Sequence, residues 1–308
     1  MNIAYLISAY KDPEHLQRLC RVLSKDMDGV HFFIHVDRKV DISPFKRLVT
    51  GDHVHYVKHR VWSQWGGYSQ VLYQQGMLRE ALDYENTGIR FERFVIMTGQ
   101  DYPLMSNASL VKYFNDKTKP FMIGCNLSRE CHDEKYMERV TLYHYLRDIK
   151  VRKPIFQRAF SLGARIIMRF LPIRKKPYLT VENKRLDVYY SSSYMALEHD
   201  AAAYILNEMS NNKELVRYFR TSFVPEELLI PTIVFNSKLK LGTMELPDWR
   251  RGLIRVSALE YFEYGKSIKI FTQEDYDELL HCGKPFARKF VTGKSNELMD
   301  MLDKHNGV

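Results

Sequence analysis

The chain has 308 residues, of which 45% are hydrophobic and 13% aromatic, which is enough apolar material for one large or two small globular domains. No stretch reaches the roughly 18 consecutive apolar residues of a membrane-spanning helix. The net charge is +9, and the nine basic residues between Lys150 and Lys176, with no acidic residue among them, account for all of it. A charge confined to one segment argues against a general nucleic-acid-binding face and favours one local anionic partner.

The N-terminus and the cysteines predict the compartment. The first residues lack the basic region of a signal peptide, so we expect a protein that is not secreted. Cys20, Cys125, Cys131 and Cys282 have no CxxC spacing, which argues against a zinc site and a disulfide framework. A reducing cytoplasm is therefore expected.

The first half of the chain alternates short apolar runs with segments of helical periodicity. The runs predict strands over 3–9, 31–37, 54–57 and 91–97, and the periodic segments predict helices over 13–25 and 69–82. Such alternation is typical of an α/β fold with a mostly parallel sheet, in which ligands bind at the carboxyl ends of the strands. Asp37, the turn 65–67 and the turn 99–101 follow such ends, so we predict a nucleotide site there.

The second half is less regular, and we predict its elements in chain order. These are a strand over 121–125, helices over 137–150 and 155–171, an extended segment over 186–197, a helix over 199–209, strands over 239–246 and 265–271, a helix capped by Thr272 that ends near 282–283, and a final helix over 297–302. The pattern predicts a single domain over 1–308, with a nucleotide-binding half (1–125) and an acceptor or catalytic half (126–308) that holds a basic insert (150–176).

Two adjacent carboxylates, Glu226 and Glu227, follow Pro225 at the expected start of a short helix. Proline fits the first helical position, and the helix dipole stabilises acidic side chains in the first turn. The same pattern is also a common helix start without any function.

Six motifs occur in the order of one known family. The chain resembles the core-2/I-branching β-1,6-N-acetylglucosaminyltransferase and peptide O-xylosyltransferase family, as a bacterial-type member, from about residue 2 to about 290. The resemblance implies a GT-A-type Rossmann-like fold and an inverting transfer of a sugar from a UDP-sugar to a hydroxyl. The motifs are His35-Val36-Asp37-Arg38-Lys39, Trp65-Gly66-Gly67-Tyr68-Ser69, Thr98-Gly99-Gln100-Asp101-Tyr102-Pro103-Leu104, Ser191-Ser192-Ser193-Tyr194, Pro225-Glu226-Glu227 and Phe286-Ala287-Arg288-Lys289-Phe290.

The resemblance implies that Glu227 is the general base, with Glu226 in the place of the family's usual aspartate. Inversion needs one in-line displacement, so a single carboxylate must take the proton of the acceptor hydroxyl. Glu227 can do this only while it is ionised, a state that a helix N-terminus favours.

Negative charge develops on the leaving diphosphate, and positively charged groups are needed to stabilise it. The Asp-x-Asp pair with which many GT-A enzymes hold a metal is incomplete here, because Asp37 lacks a second acid. In the family basic side chains take the metal's place, and Arg288 and Lys289 match them, as does Lys266 less closely. We therefore expect no metal and no further cofactor.

Further contacts follow from the resemblance. For the UDP-sugar it implies a uridine contact at Asp37, a pocket wall at Ala9, and contacts from Ser63, Gln64, Trp65, Ser193 and Tyr194. The turn at Trp65 also fits a purely structural interpretation, with the tryptophan in the core. For a glycan or lipid-linked oligosaccharide acceptor it implies contacts from Trp249, Glu130 and Arg139. Two residues after Trp249, Arg251 replaces a tyrosine that the family pattern leads us to expect.

Two interpretations of the basic insert, 150–176, stay open. Its helix places Arg158, Arg165 and Arg169 on one side and phenylalanines on the other. Such a helix suits a peripheral contact with an anionic membrane, on its inner face if the protein is cytoplasmic, and equally suits a surface helix whose apolar side packs on the domain.

The sequence thus predicts a metal-independent, inverting glycosyltransferase that builds a surface polysaccharide or lipooligosaccharide. UDP-N-acetylglucosamine is the first choice of donor and UDP-xylose the nearest alternative. Two rivals remain, a nucleotide-sugar-binding protein without turnover and a metal-dependent transferase. We expect His144 to be an ordinary packed residue and Asp101 to be structural.

Overall fold

The computed structural model describes residues 1–150, 154–240, 242–249, 252–265 and 267–308. Thirteen strands lie in these ranges: β1 (Ile3–Ala9), β2 (Val30–Val36), β3 (Val54–Tyr56), β4 (Arg93–Thr98), β5 (Asp101–Pro103), β6 (Met122–Asn126), β7 (Tyr178–Val181), β8 (Lys184–Asp187), β9 (Tyr189–Ser191), β10 (Met195–Glu198), β11 (Thr243–Glu245), β12 (Glu260–Tyr261) and β13 (Phe286–Arg288).

The same ranges hold twelve α-helices: α1 (Pro13–Ser24), α2 (Ser43–Leu48), α3 (Ser69–Tyr84), α4 (Asn107–Asn115), α5 (Leu127–Glu130), α6 (Glu134–Thr141), α7 (Pro154–Phe170), α8 (His199–Asn211), α9 (Lys213–Arg220), α10 (Leu229–Phe235), α11 (Tyr276–His281) and α12 (Asn296–Asn306). Short 3-10 helices cover Glu85–Thr87, Pro225–Glu227, Lys238–Lys240, Leu253–Val256 and Gln273–Asp275.

The central sheet has the strand order β10-β4-β1-β2-β3. The first four strands of the chain pair in parallel, and β10 joins the edge in antiparallel orientation. β1 is buried almost throughout because helices cover the sheet, which is why it reads as a continuous apolar run. The prediction of a mostly parallel central sheet is confirmed, and the carboxyl ends of β1, β2 and β4 lie side by side.

Two three-stranded sheets carry the rest of the site. In one, β6 lies between β11 and β9, and in the other β13 lies between β12 and β5. The antiparallel pairing of β13 with β5 places Arg288 opposite Asp101. Two motifs that are almost two hundred residues apart in sequence are therefore neighbours in a sheet.

The turn before α1 joins the two ends of the chain. The Asp12 side chain caps α1 by accepting from the His15 backbone N–H at 3.2 Å, and Pro13 occupies the first turn. Asp12 also accepts from the backbone N–H and the hydroxyl of Thr292, at 2.8 and 2.6 Å. The loop after β13 is thereby fixed to the start of α1.

Several predicted elements differ in the structure. The strand predicted over 239–246 is reduced to β11, and the 3-10 helix Lys238–Lys240 covers the start of the predicted range. The extended segment 186–197 is three short strands, because β8, β9 and β10 pair with different neighbours. The helix predicted over 137–150 begins earlier and ends at Thr141. The strand predicted over 265–271 is wrong, since among the described residues of this segment only an isolated bridge joins Ile268 to Tyr264.

The orientation of α7 overturns one interpretation of the basic insert. Its polar Gln157 and Ser161 are buried against the domain, whereas Ile155 and Phe170 are 70% and 86% exposed. The expectation that the apolar side packs on the domain is therefore wrong. Arg152 and Lys153 of the same insert lie outside the described residues.

Candidate functional site

A cavity of about 470 Å³ opens at the carboxyl ends of β1, β2 and β4. Parallel pairing brings Ala9 beside Val36 and Ser8 beside Thr98, so the residues that follow these strands share one edge. Nine of the residues implied by the resemblance line this cavity: Ala9, Asp37, Ser63, Trp65, Ser193, Tyr194, Glu227, Arg288 and Lys289.

Four other implied residues, among those that the structure describes, do not line the cavity. Gln64 is buried behind its wall, where its side-chain amide donates to the Ile149 carbonyl at 3.0 Å. Trp249, Glu130 and Arg139 are not among the lining residues. Lys266 lies outside the described residues.

Asp37 sits on a rigid turn after β2. Its backbone N–H donates to the Ala9 carbonyl at 2.8 Å, and its carboxylate accepts from the Lys39 backbone N–H at 2.9 Å. The Arg60 guanidinium holds the turn from outside by donating to the carbonyls of Val36 and Asp37, at 2.9 and 2.8 Å. The carboxylate is therefore fixed at the cavity wall.

Cations gather at one end of the cavity. Arg288 donates to the Tyr194 hydroxyl, its guanidinium lies 4.8 Å from the centre of that ring, and Lys289 follows it on the wall. Burial, and then the nearby charge of Lys11, lowers the pKa of Lys289. A bound anion would relieve this repulsion, so this end of the cavity suits a phosphate.

Two lysines that line the cavity, Lys11 and Lys39, were not predicted as site residues. Lys39 donates to the Ser63 carbonyl and lies 3.3 Å from the Asp37 carboxylate. Both lysines come two or three residues after a buried parallel strand ends. That position is a signal that could have found them, because such residues point into the edge where ligands bind.

Asp101 supports Arg288 from beneath the cavity. It is fully buried and accepts from the backbone N–H and hydroxyl of Thr98, both at 2.6 Å. The Arg288 Nε lies 3.6 Å from the same carboxylate. Asp101 is not among the cavity-lining residues, and these contacts give it a structural place in the turn.

Glu227 reaches the cavity from a 3-10 turn. Val224 takes the left-handed conformation with φ of 54°, Pro225 follows, and the turn ends at Glu227, before α10 begins at Leu229. The expected helix N-terminus at the two glutamates is therefore wrong. A three-residue 3-10 turn has too short a dipole to hold a carboxylate ionised.

Arg139 supplies the positive charge that a helix N-terminus at Glu227 would have supplied. Its Nη1 lies 2.8 Å from the Glu227 carboxylate, and the two side chains are only 15% and 14% exposed. Burial raises the pKa of Glu227, and the Arg139 guanidinium opposes this shift. The result is a desolvated carboxylate with a fixed cationic partner.

Glu226 is in the opposite state. It is 5% exposed, and one carboxylate oxygen has no hydrogen-bond partner among the described residues. Burial, and next the charge of Glu227, raises the pKa of Glu226 well above its usual range. Glu226 therefore keeps its proton to higher pH than an exposed glutamate does, and within the pair ionisation is favoured at Glu227, beside Arg139.

An aromatic cluster continues from Arg139 away from the cavity. The guanidinium lies 4.1 Å from the ring centre of Tyr136 and 5.5 Å from that of Tyr190. Trp249 packs edge-on against Tyr136 at 4.8 Å. Trp249 and Arg139 are thus joined through Tyr136 beside Glu227, whereas Glu130 is the last residue of α5.

Trp65 lies at the cavity mouth. It is 69% exposed and touches Phe223 edge-on, with ring centres 5.3 Å apart. The interpretation of this tryptophan as a core residue is therefore wrong. An exposed indole on a fixed turn is suited to stack on a ligand.

Neither His144 nor any group of possible metal ligands among the described residues adds chemistry to the site. Burial lowers the pKa of His144 to about 4, and its ring contacts the Glu138 carbonyl at 2.8 Å, as expected for a packed residue. Among the described residues, no three His, Cys, Asp or Glu side chains form a group that could hold a metal ion. Within the same residues, no helix is both long and apolar enough to cross a bilayer.

A known protein family matches most of the chain. A family model described as Core-2/I-Branching enzyme matches residues 3–256. No curated protein matches the chain. The matched range includes Glu227 and Arg139 and ends before Arg288 and Lys289.

Proposed function

Since the chain belongs to the core-2/I-branching enzyme family and is a glycosyltransferase with a GT-A-like α/β fold, we propose that it transfers N-acetylglucosamine from UDP-N-acetylglucosamine to a glycan hydroxyl with inversion. One observation carries the proposal. A single cavity at the carboxyl ends of the parallel strands holds an arginine-paired carboxylate, Glu227, together with the cations Arg288 and Lys289.

In this reaction Glu227 accepts the proton of the acceptor hydroxyl. The hydroxyl oxygen forms its bond to the anomeric carbon while the bond from that carbon to the β-phosphate oxygen breaks, and UDP leaves with the electron pair. Burial makes Glu227 a stronger base than an exposed glutamate, and Arg139 keeps it ionised before the reaction. Both properties suit a general base near neutral pH.

Arg288 and Lys289 stabilise the charge that develops on the diphosphate. They lie in the cavity with Lys11, and no acid neutralises Lys289 among its described contacts. Positioned cations in a partly water-excluded site act on a leaving oxyanion as a metal ion would. We therefore propose that the reaction does not require a metal.

The donor end of the cavity suits a nucleoside. Asp37 and Ala9 form the wall at the end of the first two strands, where we propose that the uridine binds. Ser63, Trp65, Ser193 and Tyr194 line the same cavity as Glu227, which supports a role for them in holding the donor. Trp249 and Arg139 lie beyond Glu227, on the side from which a glycan acceptor would enter.

The test is transfer from a panel of UDP-sugars in excess chelator, with Glu227→Gln and the matched variant Glu226→Gln. We expect one donor to react without metal, Glu227→Gln to bind UDP but lose transfer by about 10³-fold, and Glu226→Gln to retain most activity because the raised pKa of Glu226 favours its protonated form, which glutamine resembles. If only UDP-xylose reacts, the donor is UDP-xylose and not UDP-N-acetylglucosamine. Activity only with manganese would refute the role of Arg288 and Lys289.

The same panel tests a binding protein without turnover. That function predicts UDP binding with no transfer from any donor, and identical behaviour of the wild type and Glu227→Gln. The arginine-paired, buried Glu227 favours the enzyme, because a buried carboxylate is costly to maintain where no proton is moved.

A further inference from the structure

The helix α7 is attached to the domain by its polar side. The Gln157 side-chain amide donates to the Arg147 carbonyl at 3.0 Å, and the Ser161 hydroxyl donates to the Leu146 carbonyl at 3.3 Å. Arg165 donates to the Glu138 carboxylate on α6 at 2.6 Å. These contacts fix which face of α7 points outward.

The outward face is apolar along the whole helix. At 100° per residue its side chains cover an arc of roughly 160°, and a helix of a water-soluble domain normally buries such an arc. A contiguous exposed patch of this kind marks an interaction surface. We call it the outer face of α7, formed by Ile155, Phe156, Phe160, Leu162, Ile166, Ile167 and Phe170.

Cations border the outer face. Arg158 is exposed, and Arg169 is 55% exposed on the same edge of the helix. Lys150 and Lys176 are exposed at the two ends of the insert, and no acidic residue occurs between them. The partner must therefore offer apolar volume and negative charge together.

We propose that the outer face of α7 docks on a lipid bilayer that contains anionic phospholipids. The phenylalanines, isoleucines and leucine enter the boundary between headgroups and acyl chains, where such a helix lies about 5–10 Å deep in the plane of the membrane. The bordering arginines and lysines contact the lipid phosphates while their aliphatic stems cover apolar surface.

A second copy of this chain fits the surface less well. Two outer faces packed together by a two-fold axis would bring the bordering cations of both copies close to one another. The insert itself has no acid, and the acids that pair with Arg169, Glu134 and Glu138, lie on α6. A bilayer with anionic headgroups removes this repulsion. Self-association is therefore an outcome of the test and not the proposal.

The docking face lies next to the acceptor side of the cavity. α6 separates the two: its Glu138 binds Arg165 and Arg169 of α7, and the next residue, Arg139, binds Glu227. If the proposed function holds, docking brings Glu227 towards the membrane surface, where a lipid-linked glycan would present its hydroxyl. The docking itself does not depend on that function.

Vesicle flotation measures the docking directly. The full chain is mixed with vesicles of phosphatidylcholine alone, or of phosphatidylcholine with about one third phosphatidylglycerol, and the floated fraction is measured at low and high salt. We expect binding only to the phosphatidylglycerol vesicles, with a clear decrease at high salt because the cationic contribution is screened.

Two variants separate the apolar and cationic contributions. The double variant Ile166→Ser and Phe170→Ser removes the centre of the outer face, and we expect vesicle affinity to decrease by about tenfold or more. Arg158→Glu should weaken binding by about fivefold or more, since it reverses a charge at the edge of the face. The matched control is Tyr204→Ser with Met301→Ser, half-exposed apolar residues of α8 and α12, and it should float as the wild type does.

Circular dichroism and thermal unfolding verify that each variant is folded, which the exposure of the substituted residues predicts. The proposal is overturned if the wild type does not float with anionic vesicles, or if the double variant floats as well as the wild type. It is also overturned if the wild type is a stable dimer in lipid-free buffer that the same double substitution makes monomeric. UDP binding, measured in parallel, distinguishes a failure of docking from a failure of the proposed function.

Discussion

Glu226 and Glu227 are adjacent in sequence but are held in different charge states. Glu227 has Arg139 within 2.8 Å, whereas Glu226 has a carboxylate oxygen without a hydrogen-bond partner among the described residues. Two neighbouring carboxylates in one desolvated space cannot both ionise cheaply, so the arginine decides which of them carries the charge. The assignment of the base therefore depends on a third residue that is 88 positions away in the chain.

Replacing Arg139 should change the pH dependence of transfer. In Arg139→Gln the pKa of Glu227 rises, because burial is no longer opposed by the guanidinium. The ionised base then forms only at higher pH, and the acidic limb of the kcat/KM profile moves to higher pH by about one unit or more. The measurement is the pH–rate profile of wild type and variant.

The matched control is Arg93→Gln. Arg93 forms an ion pair with Glu198 at the same 2.8 Å, and it lies at the first residue of β4, whereas the cavity lies at the carboxyl end of that strand. The pH–rate profile of this variant should match that of the wild type. An unmoved acidic limb in Arg139→Gln would show that Arg139 does not set the ionisation of Glu227.

The raised pKa of Glu226 should appear in folding stability. Below about pH 4.5 both the folded and the unfolded chain hold its proton, and above that pH only the folded chain does until its raised pKa is reached. Its contribution to the free energy of unfolding therefore decreases as pH rises, by about 1.4 kcal/mol per unit. Glu226→Gln removes this dependence, so the stability of the variant relative to the wild type should increase as pH rises above about 4.5, until the raised pKa of Glu226 is reached.

Urea unfolding at several pH values measures this difference. The comparison must be between wild type and variant, because Lys175, whose pKa burial lowers to about 7, makes the opposite contribution above that pH in both proteins. The exposed Glu297→Gln is the control and should follow the wild type. Parallel curves for the wild type and Glu226→Gln would mean that Glu226 is ionised in the folded protein.

Single residues of the site were predicted with uneven success, for physical reasons. The motif residues could be found because each motif follows a strand or begins a helix. The partner of Glu227 was assigned to the acceptor instead, since no local pattern connects Arg139 with a carboxylate so distant in sequence. Lys11 and Lys39 were overlooked although their position after buried strands pointed to the cavity.

At the scale of elements, the turn at Trp65 and the 3-10 turn at Glu227 are one unit. The Val224 N–H donates to the Gly66 carbonyl at 3.1 Å, and Gly66 has φ of 72°. A Cβ at Gly66 would lie 2.3 Å from the Phe223 ring. The glycine is therefore required both by its conformation and by the close approach of the segment that carries Glu227.

Gly66→Ala should lower stability and activity together. Positive φ costs about 1 kcal/mol for alanine, and the clash with Phe223 adds to it and displaces the turn before Glu227. We expect a loss of about 2–3 kcal/mol in the free energy of unfolding and at least a tenfold lower rate of transfer.

Gly283→Ala is the matched control for this prediction. Gly283 has φ of 69° but no atom within 4 Å of the added Cβ, so it keeps the conformational cost without the clash. Thermal unfolding and transfer rates of the two variants isolate the contribution of Phe223. Equal losses in both would contradict the packing argument.

Elements were predictable where local signals decide them and not where distant partners do. β1 has the predicted bounds because its apolar run fills the centre of a sheet. The segment 186–197 divides among three sheets: β8 pairs with the adjacent β7, whereas the partners of β9 and β10, which are β6 and β4, are distant in sequence. For α7 the periodicity showed an amphipathic helix, but periodicity alone does not indicate which face the domain covers.

At the scale of the whole molecule, the segment after residue 256 completes the site. The family match ends there, yet β13 carries Arg288 and Lys289 into the cavity beside β5. α12 fixes this segment to the first helix, because Asp303 accepts from Arg18 and from the Tyr102 hydroxyl, both at 2.6 Å. The two ends of the chain are thus joined through one carboxylate.

Removing the Asp303 carboxylate should weaken the attachment of α12 to α1 and lower the stability of the fold. Asp303 is 10% exposed, and Asp303→Ala leaves the Arg18 guanidinium and the Tyr102 hydroxyl without their shared acceptor. We expect a loss of about 2–4 kcal/mol in the free energy of unfolding. Asp300→Ala is the matched control, since Asp300 binds the same Arg18 at 2.7 Å but is 69% exposed, and it should cost no more than about 1 kcal/mol. Urea unfolding of the two variants is the measurement, and equal losses would mean that the buried contact of Asp303 to Tyr102 adds nothing to the free energy of unfolding.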